Sequence, residues 1–165
     1  MTNLTWYANT EFIVKKAYTR MLILHKLSEF EVPIEDMLNI YVLYIRSIVE
    51  NAAVVWHSSL TTLEETDLER VQKVALRIIL KENYENYGNS LRLTGLPTLQ
   101  DRRFQLCKSF ALKSAKNEKT KDMFPLNPST AGTINFEKYK LTQASTSRLK
   151  DSAIPFMQRL LNSIQ

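Results

Sequence analysis

Apolar residues recur at three- and four-residue spacing through most of the first 117 positions, and that period predicts helices. The clearest instance runs from Thr61 to Lys81. Leu68, Val71, Ala75 and Ile78 mark the buried face of a helix of about five turns. Thr61 or Thr62 caps its start, and Glu64 or Glu65 closes a capping box. Acidic side chains crowd the first turns and basic ones the last, as the helix dipole favours.

The same reading places a first helix over Glu11–Glu29, capped by Asn9 or Thr10, with Ile13, Ala17, Met21 and Leu24 inward and Phe12 and Leu27 beside them. Pro33 opens a second helix running to about Val55. Apolar around much of its circumference, it is expected to be the most buried member of a bundle. The small and β-branched run Ala52-Ala53-Val54-Val55 suggests a break or a strand near its end. A short helix is expected through Leu93, ended by Gly95. Thr98 caps another, with Asp101 answering three residues on. Beyond Asn117 the period fades into Pro-, Ser- and Thr-rich sequence, with alternation over Ile134–Leu141 and a docking amphipathic turn at Ile154–Leu161. The expected fold is mainly α: a bundle of about four main helices with an irregular C-terminal tail. Residues 1–117 form the helical domain and 118–165 the extension.

Composition sharpens this. Three glycines in 165 residues are few for a protein of tight β-turns. One cysteine, Cys107, excludes an internal disulfide and a multi-cysteine zinc site. No uninterrupted run of about 18 apolar residues occurs, and Arg46 and Glu50 interrupt the second helix, so no membrane span is expected. Met1–Ala8 has neither the basic start nor the apolar stretch of a signal peptide. The expected setting is intracellular, nucleus or cytoplasm. From the abrupt opening on Leu4-Thr5-Trp6 the chain is expected to be a piece of something longer. Charge is uneven: residues 1–90 hold nine Lys/Arg against twelve Asp/Glu, and residues 91–121 hold eight against two.

Chemistry for catalysis is missing from the pattern. His25 and His57 are the two histidines and lie far apart, and Cys107 falls on the apolar side of its helix. No Gly-rich phosphate loop is present. No cofactor is expected. Two basic clusters stand out instead. Arg70, Lys73, Arg77 and Lys81 fall within roughly 80° of one another around their helix, turned from the apolar stripe. Arg102, Arg103 and Lys108, with Lys113 and Lys116 beyond, form the second. Both have the composition of a phosphate-binding face, and a solvated helix face has it too. Tyr84 and Tyr87 flank the first cluster, as stacking residues do beside bases and as loop tyrosines do when they pack on their own domain.

Several strings, in order, resemble a known family: Leu4-Thr5-Trp6, Tyr44-Ile45-Arg46-Ser47-Ile48-Val49-Glu50-Asn51-Ala52, Val55-Trp56-His57, the run from Leu68 to Ile79, Leu99 to Cys107, and Asp151 to Asn162. Together they resemble the C-terminal part of reverse transcriptases of jockey-like, non-LTR (LINE-type) retrotransposons, over nearly the whole chain. The run Leu68-Glu69-Arg70-Val71-Gln72-Lys73-Val74-Ala75-Leu76-Arg77-Ile78-Ile79 is the most specific part.

The resemblance implies a thumb and post-thumb segment. Polymerisation in that family needs palm aspartates to hold two metal ions, and no Asp-Asp pair occurs in this chain. The fragment is therefore expected to be non-catalytic alone, and to grip the backbone of template–primer RNA or an RNA–DNA hybrid through Arg70, Lys73, Arg77, Lys81, Arg102, Arg103 and Lys108. The missing palm, or a partner chain, would meet its apolar surface. One departure stands out: the family commonly has proline where this chain has Ser47, which removes a helix kink. The alternatives are a helical protein-interaction module and a relic of a mobile element without function.

Overall fold

The computed structural model describes residues 6–128 and 138–164. Among these the protein is mainly α, with one isolated antiparallel bridge, Leu126–Tyr139, as its sole β pairing. Helices run as α1 (Tyr7–Glu29), α2 (Ile34–Ile40), α3 (Ser47–Glu50), α4 (Ala53–Trp56), α5 (Thr62–Leu80), α6 (Tyr87–Thr94), α7 (Leu99–Lys116), α8 (Ser147–Lys150) and α9 (Ala153–Ser163). The helix count thus exceeds the four expected, because the second helix is interrupted and the tail is itself partly helical.

Chain contacts divide the protein into two units, within α7 rather than after it. The first comprises residues 1–51 and 60–102; the second comprises 52–59 and 103–165.

In the first unit α1 packs along α5 and against the stretch Tyr41–Glu50. Ile13, Ala17, Met21 and Leu24 are the buried stripe of α1, as their spacing predicts. The helix begins a turn earlier than expected, behind Trp6, without a side-chain cap. On α5 the buried set is Glu64, Leu68, Val71, Gln72, Ala75, Leu76, Ile79 and Leu80. Ile78 is only half-buried, so the inward face is rotated toward Leu76 and Ile79. The capping box is formed by the first of the two candidate pairs. Glu64 N–H donates to Thr61 Oγ1 at 3.3 Å, and Thr61 N–H to Glu64 Oε2 at 2.8 Å.

The second predicted helix departs most from expectation. Between α2 and α3 the backbone winds as a π-helix, Tyr41–Arg46, immediately before Ser47. The helix is irregular at this place with no proline to cause it. The run then breaks at Asn51–Ala52, where Ala52 takes the left-handed conformation (φ 52°). It is not the most buried helix. Tyr41, Ile45, Ile48 and Val49 turn inward, but Leu43 is 76% exposed and Tyr44 is exposed beside it. By length and apolar content alone, the run Ile34–Ser59 would cross a membrane. Within it, however, Arg46 and Glu50 form an ion pair of 2.9 Å.

The second unit has its own core: Ala111, Phe124, Met157 and Leu161, with Val54, Ala115, Met123, Tyr139, Ala153 and Phe156 packed around. The C-terminal amphipathic segment docks as α9, which lies on α4 and the turn His57–Ser59. Its apolar side chains join the core, and its amides do separate work. Asn162 brackets Tyr139, accepting from its N–H and donating to its carbonyl, each at 2.9 Å. One turn earlier, Gln158 accepts from the Thr142 N–H at 2.8 Å and donates to the Met123 carbonyl at 3.0 Å. A helix side chain thus stands in for a neighbouring strand. The alternation expected over Ile134–Leu141 falls partly outside the described residues. The part described pairs through Lys140 N–H to Pro125 O at 2.8 Å and Asn127 N–H to Lys138 O at 3.0 Å.

Candidate nucleic-acid interface

The basic stripe of α5 is outward, as its angle to the apolar face requires. Arg70 is exposed and pairs with Asp67 one turn back, 3.2 Å away. Lys73 is half-buried, its ammonium 5.1 Å from the centre of the Tyr87 ring. Arg77 is exposed, its guanidinium 5.2 Å from the centre of the Tyr84 ring. Neither Lys73 nor Arg77 meets a carboxylate in an ion pair among the described residues. Lys81 departs from the stripe. It follows the helix at φ 50°, and its ammonium donates to the Ser28 carbonyl at 2.6 Å.

Tyr87 is held in place from below. The Tyr87 hydroxyl donates to the Glu69 carboxylate and accepts from Gln72 Nε2 at 3.0 Å. Gln72, fully buried, also donates to the Pro97 carbonyl at 2.8 Å and accepts from the Tyr41 hydroxyl at 2.7 Å. Glu69 accepts in addition from the Leu99 N–H at 3.1 Å, at the first turn of α7. Burial, and then the adjacent Glu69 carboxylate, hold the Tyr87 hydroxyl protonated far above its usual range. Burial does the same for Tyr41. Both rings over the stripe thus present their faces to cations, an arrangement worth about 0.5–1 kcal/mol at exposed sites. They brace the charges rather than lie bare for bases.

The second cluster is not a continuous face. Thr98 caps α7 as expected, accepting from the Asp101 N–H at 3.0 Å. Arg102 is half-buried, with Nε 3.1 Å from Glu50 Oε1. Glu50 is shared with Arg46, so two guanidiniums meet one carboxylate. Arg103 is 0% exposed and is removed from the candidate phosphate contacts. The inward line of α7 is Leu99, Arg103, Cys107 and Ala111, a four-residue ladder that places Arg103 among core side chains. Its guanidinium lies 5.9 Å from the Trp56 ring centre. Lys108 is half-buried, and Lys113 and Lys116 are exposed.

The Arg103 charge also acts on His57 and Cys107, where burial is the larger influence on each. Burial, then the Arg103 charge, lower His57 to about 4, and its ring meets Phe156 edge-on at 5.8 Å. Burial raises the Cys107 thiol to about 11. The first is a weak base and the second a poor nucleophile at neutral pH.

Arg70, Lys73, Arg77, Lys81 and Arg102 thus belong to the first unit, Arg103 and Lys108 to the second. One cation was invisible to spacing. The Arg20 guanidinium stacks 4.2 Å from the Tyr44 ring centre and donates to the Tyr44 carbonyl at 2.8 Å. These residues are 24 apart in sequence and meet only through packing of α1 on the π turn.

No protein-family model, curated protein or solved structure matches this chain.

Proposed function

We propose that the chain is a non-catalytic helical module that binds the backbone of RNA or an RNA–DNA hybrid, as the thumb and post-thumb part of a LINE-type reverse transcriptase. It would act in the nucleus or cytoplasm beside a palm domain, with no cofactor of its own. One observation supports this best: Arg70, Lys73 and Arg77 share the outward side of α5, two of them seated on tyrosine rings. Charges held in this way suit phosphates. Tyrosine faces already covered by cations suit base stacking poorly, so the binding is sequence-independent and salt-sensitive.

The test is fluorescence anisotropy with a short RNA–DNA hybrid at several salt concentrations. Replacing Arg70 and Arg77 together by alanine is expected to weaken binding about tenfold at low salt and to lower the salt slope by about two. Unchanged affinity in a folded double variant rejects the reading.

A second reading, a protein-interaction module, is favoured by the exposed apolar side chains Phe12, Leu22, Leu43 and Tyr44. Folded wild-type protein that ignores the hybrid at every salt concentration would favour it.

A further inference from the structure

Two surfaces away from the α5 stripe complement each other. In the first unit an open groove of about 440 Å³ has Ile34, Leu80 and Leu93 as its apolar lining and Glu82 and Glu85 as its charges. Leu93 is 60% exposed, although aliphatic. Asn89 Nδ2 donates to Glu85 Oε2 at 3.1 Å and orients that carboxylate. Among the described residues neither Glu82 nor Glu85 enters an ion pair. The groove offers an aliphatic seat beside uncompensated negative charge.

In the second unit the outward side of α7 offers the converse. Leu112 is 37% exposed. Lys108 and Lys116 stand one turn before and after it, and Lys113 adjoins it in the chain. None of the three lysines is ion-paired among the described residues. The helix dipole accounts for lysines in a last turn, but not for an exposed leucine between them.

We infer that the Ile34/Leu80/Leu93 groove of one copy receives Leu112 of a second copy, with Glu82 and Glu85 meeting Lys113 and Lys116. Every copy carries both halves of the contact, and their charges are opposite. The inference does not rest on the α5 stripe, because no residue of the Arg70/Lys73/Arg77 face takes part.

Sedimentation velocity on the nuclease-treated full chain, over a range of concentrations, tests it. Association is expected at low salt and at least tenfold weaker near 0.5 M salt, where exposed charges are screened within about 4–5 Å. Glu82→Lys with Glu85→Lys abolishes it, as does Lys113→Glu with Lys116→Glu. Mixing these two variants restores association, because each reversed surface then finds its complement. Leu112→Gln, which leaves every charge in place, weakens it about tenfold, and Arg70→Ala with Arg77→Ala leaves it unchanged. A chain that stays monomeric overturns the inference, including the case in which the groove takes a basic segment of another protein. So does association indifferent to charge reversal, or variants that are folded by circular dichroism yet fail to recover on mixing.

Discussion

Glu69 on α5 accepts a hydrogen bond from the backbone N–H of Leu99, thirty residues away and at the start of α7. A helix N-terminus is a ready anion site, and here the protein's own carboxylate fills it. The same carboxylate fixes Tyr87, so one side chain joins the start of α7 to the brace under Lys73. Replacing Glu69 by alanine leaves both donors unmatched and is expected to cost about 1–3 kcal/mol. Thermal melting should fall by roughly 2–4 °C per kcal/mol. Glu69→Gln keeps an acceptor and should recover part of the loss; an alanine variant as stable as wild type would show that this link contributes nothing.

His57 makes stability depend on pH. Its folded value of about 4 lies below the ordinary 6.5, so the unfolded chain takes up the proton first. Stability is therefore level above pH 6.5, falls as pH drops toward 4, and levels again below. Partial exposure screens the effect, which should amount to about 1–2 kcal/mol. Urea melts across this window, compared with those of His57→Gln, isolate the contribution. The two curves should diverge at neutral pH and converge in acid; parallel curves would remove His57 from the account.

Cys107 should be silent toward thiol reagents in the native protein. It is buried, and its thiol is raised to about 11. Labelling with a disulfide reagent at neutral pH is expected to be at least 100-fold slower than in denaturant, where the thiol returns to about 8.5. Rapid native labelling would mean that α7 opens readily.

Ala52 holds a conformation that glycine adopts without a Cβ penalty. Left-handed backbone costs a non-glycine residue about 1–2 kcal/mol, and glycine gives back part of that in unfolded-state entropy. Ala52→Gly is expected to raise stability by about 0.5–1 kcal/mol, read from the midpoint of a urea melt. A loss would mean that the break before α4 is held by something other than local backbone preference.

Local signals in the chain are legible where chemistry and geometry coincide. The Thr61–Glu64 box, the Thr98–Asp101 pair and the α1 stripe are each complete within one or a few turns, so spacing suffices. Gly95 ends α6 at φ 66°, as a C-terminal glycine should. Arg103 lies inside although its residue type points outward, because its position on α7 decides. The ladder Leu99, Arg103, Cys107, Ala111 was present in the sequence and pointed inward. The expectation of a second helix buried around most of its circumference fails in the reverse direction, with Leu43 exposed. An apolar residue need not be buried, and the π turn shifts the helical phase on which the inward count depends. Of the candidate interface, the outward direction of Arg70, Lys73 and Arg77 was legible. The support beneath it was not, because Gln72, Tyr41, Tyr87 and Pro97 meet only through tertiary packing.

The two amides of α9 have a consequence for how the protein is made. Tyr139 and Thr142 find their backbone partners in Asn162 and Gln158, sixteen to twenty-three residues further along. On the ribosome, the segment before α8 must therefore emerge with those N–H groups still bonded to water. It settles only once the last turns of α9 have left the exit tunnel. Until α9 has emerged the second unit stays unfinished, with Phe124 and Ala111 waiting for Met157 and Leu161.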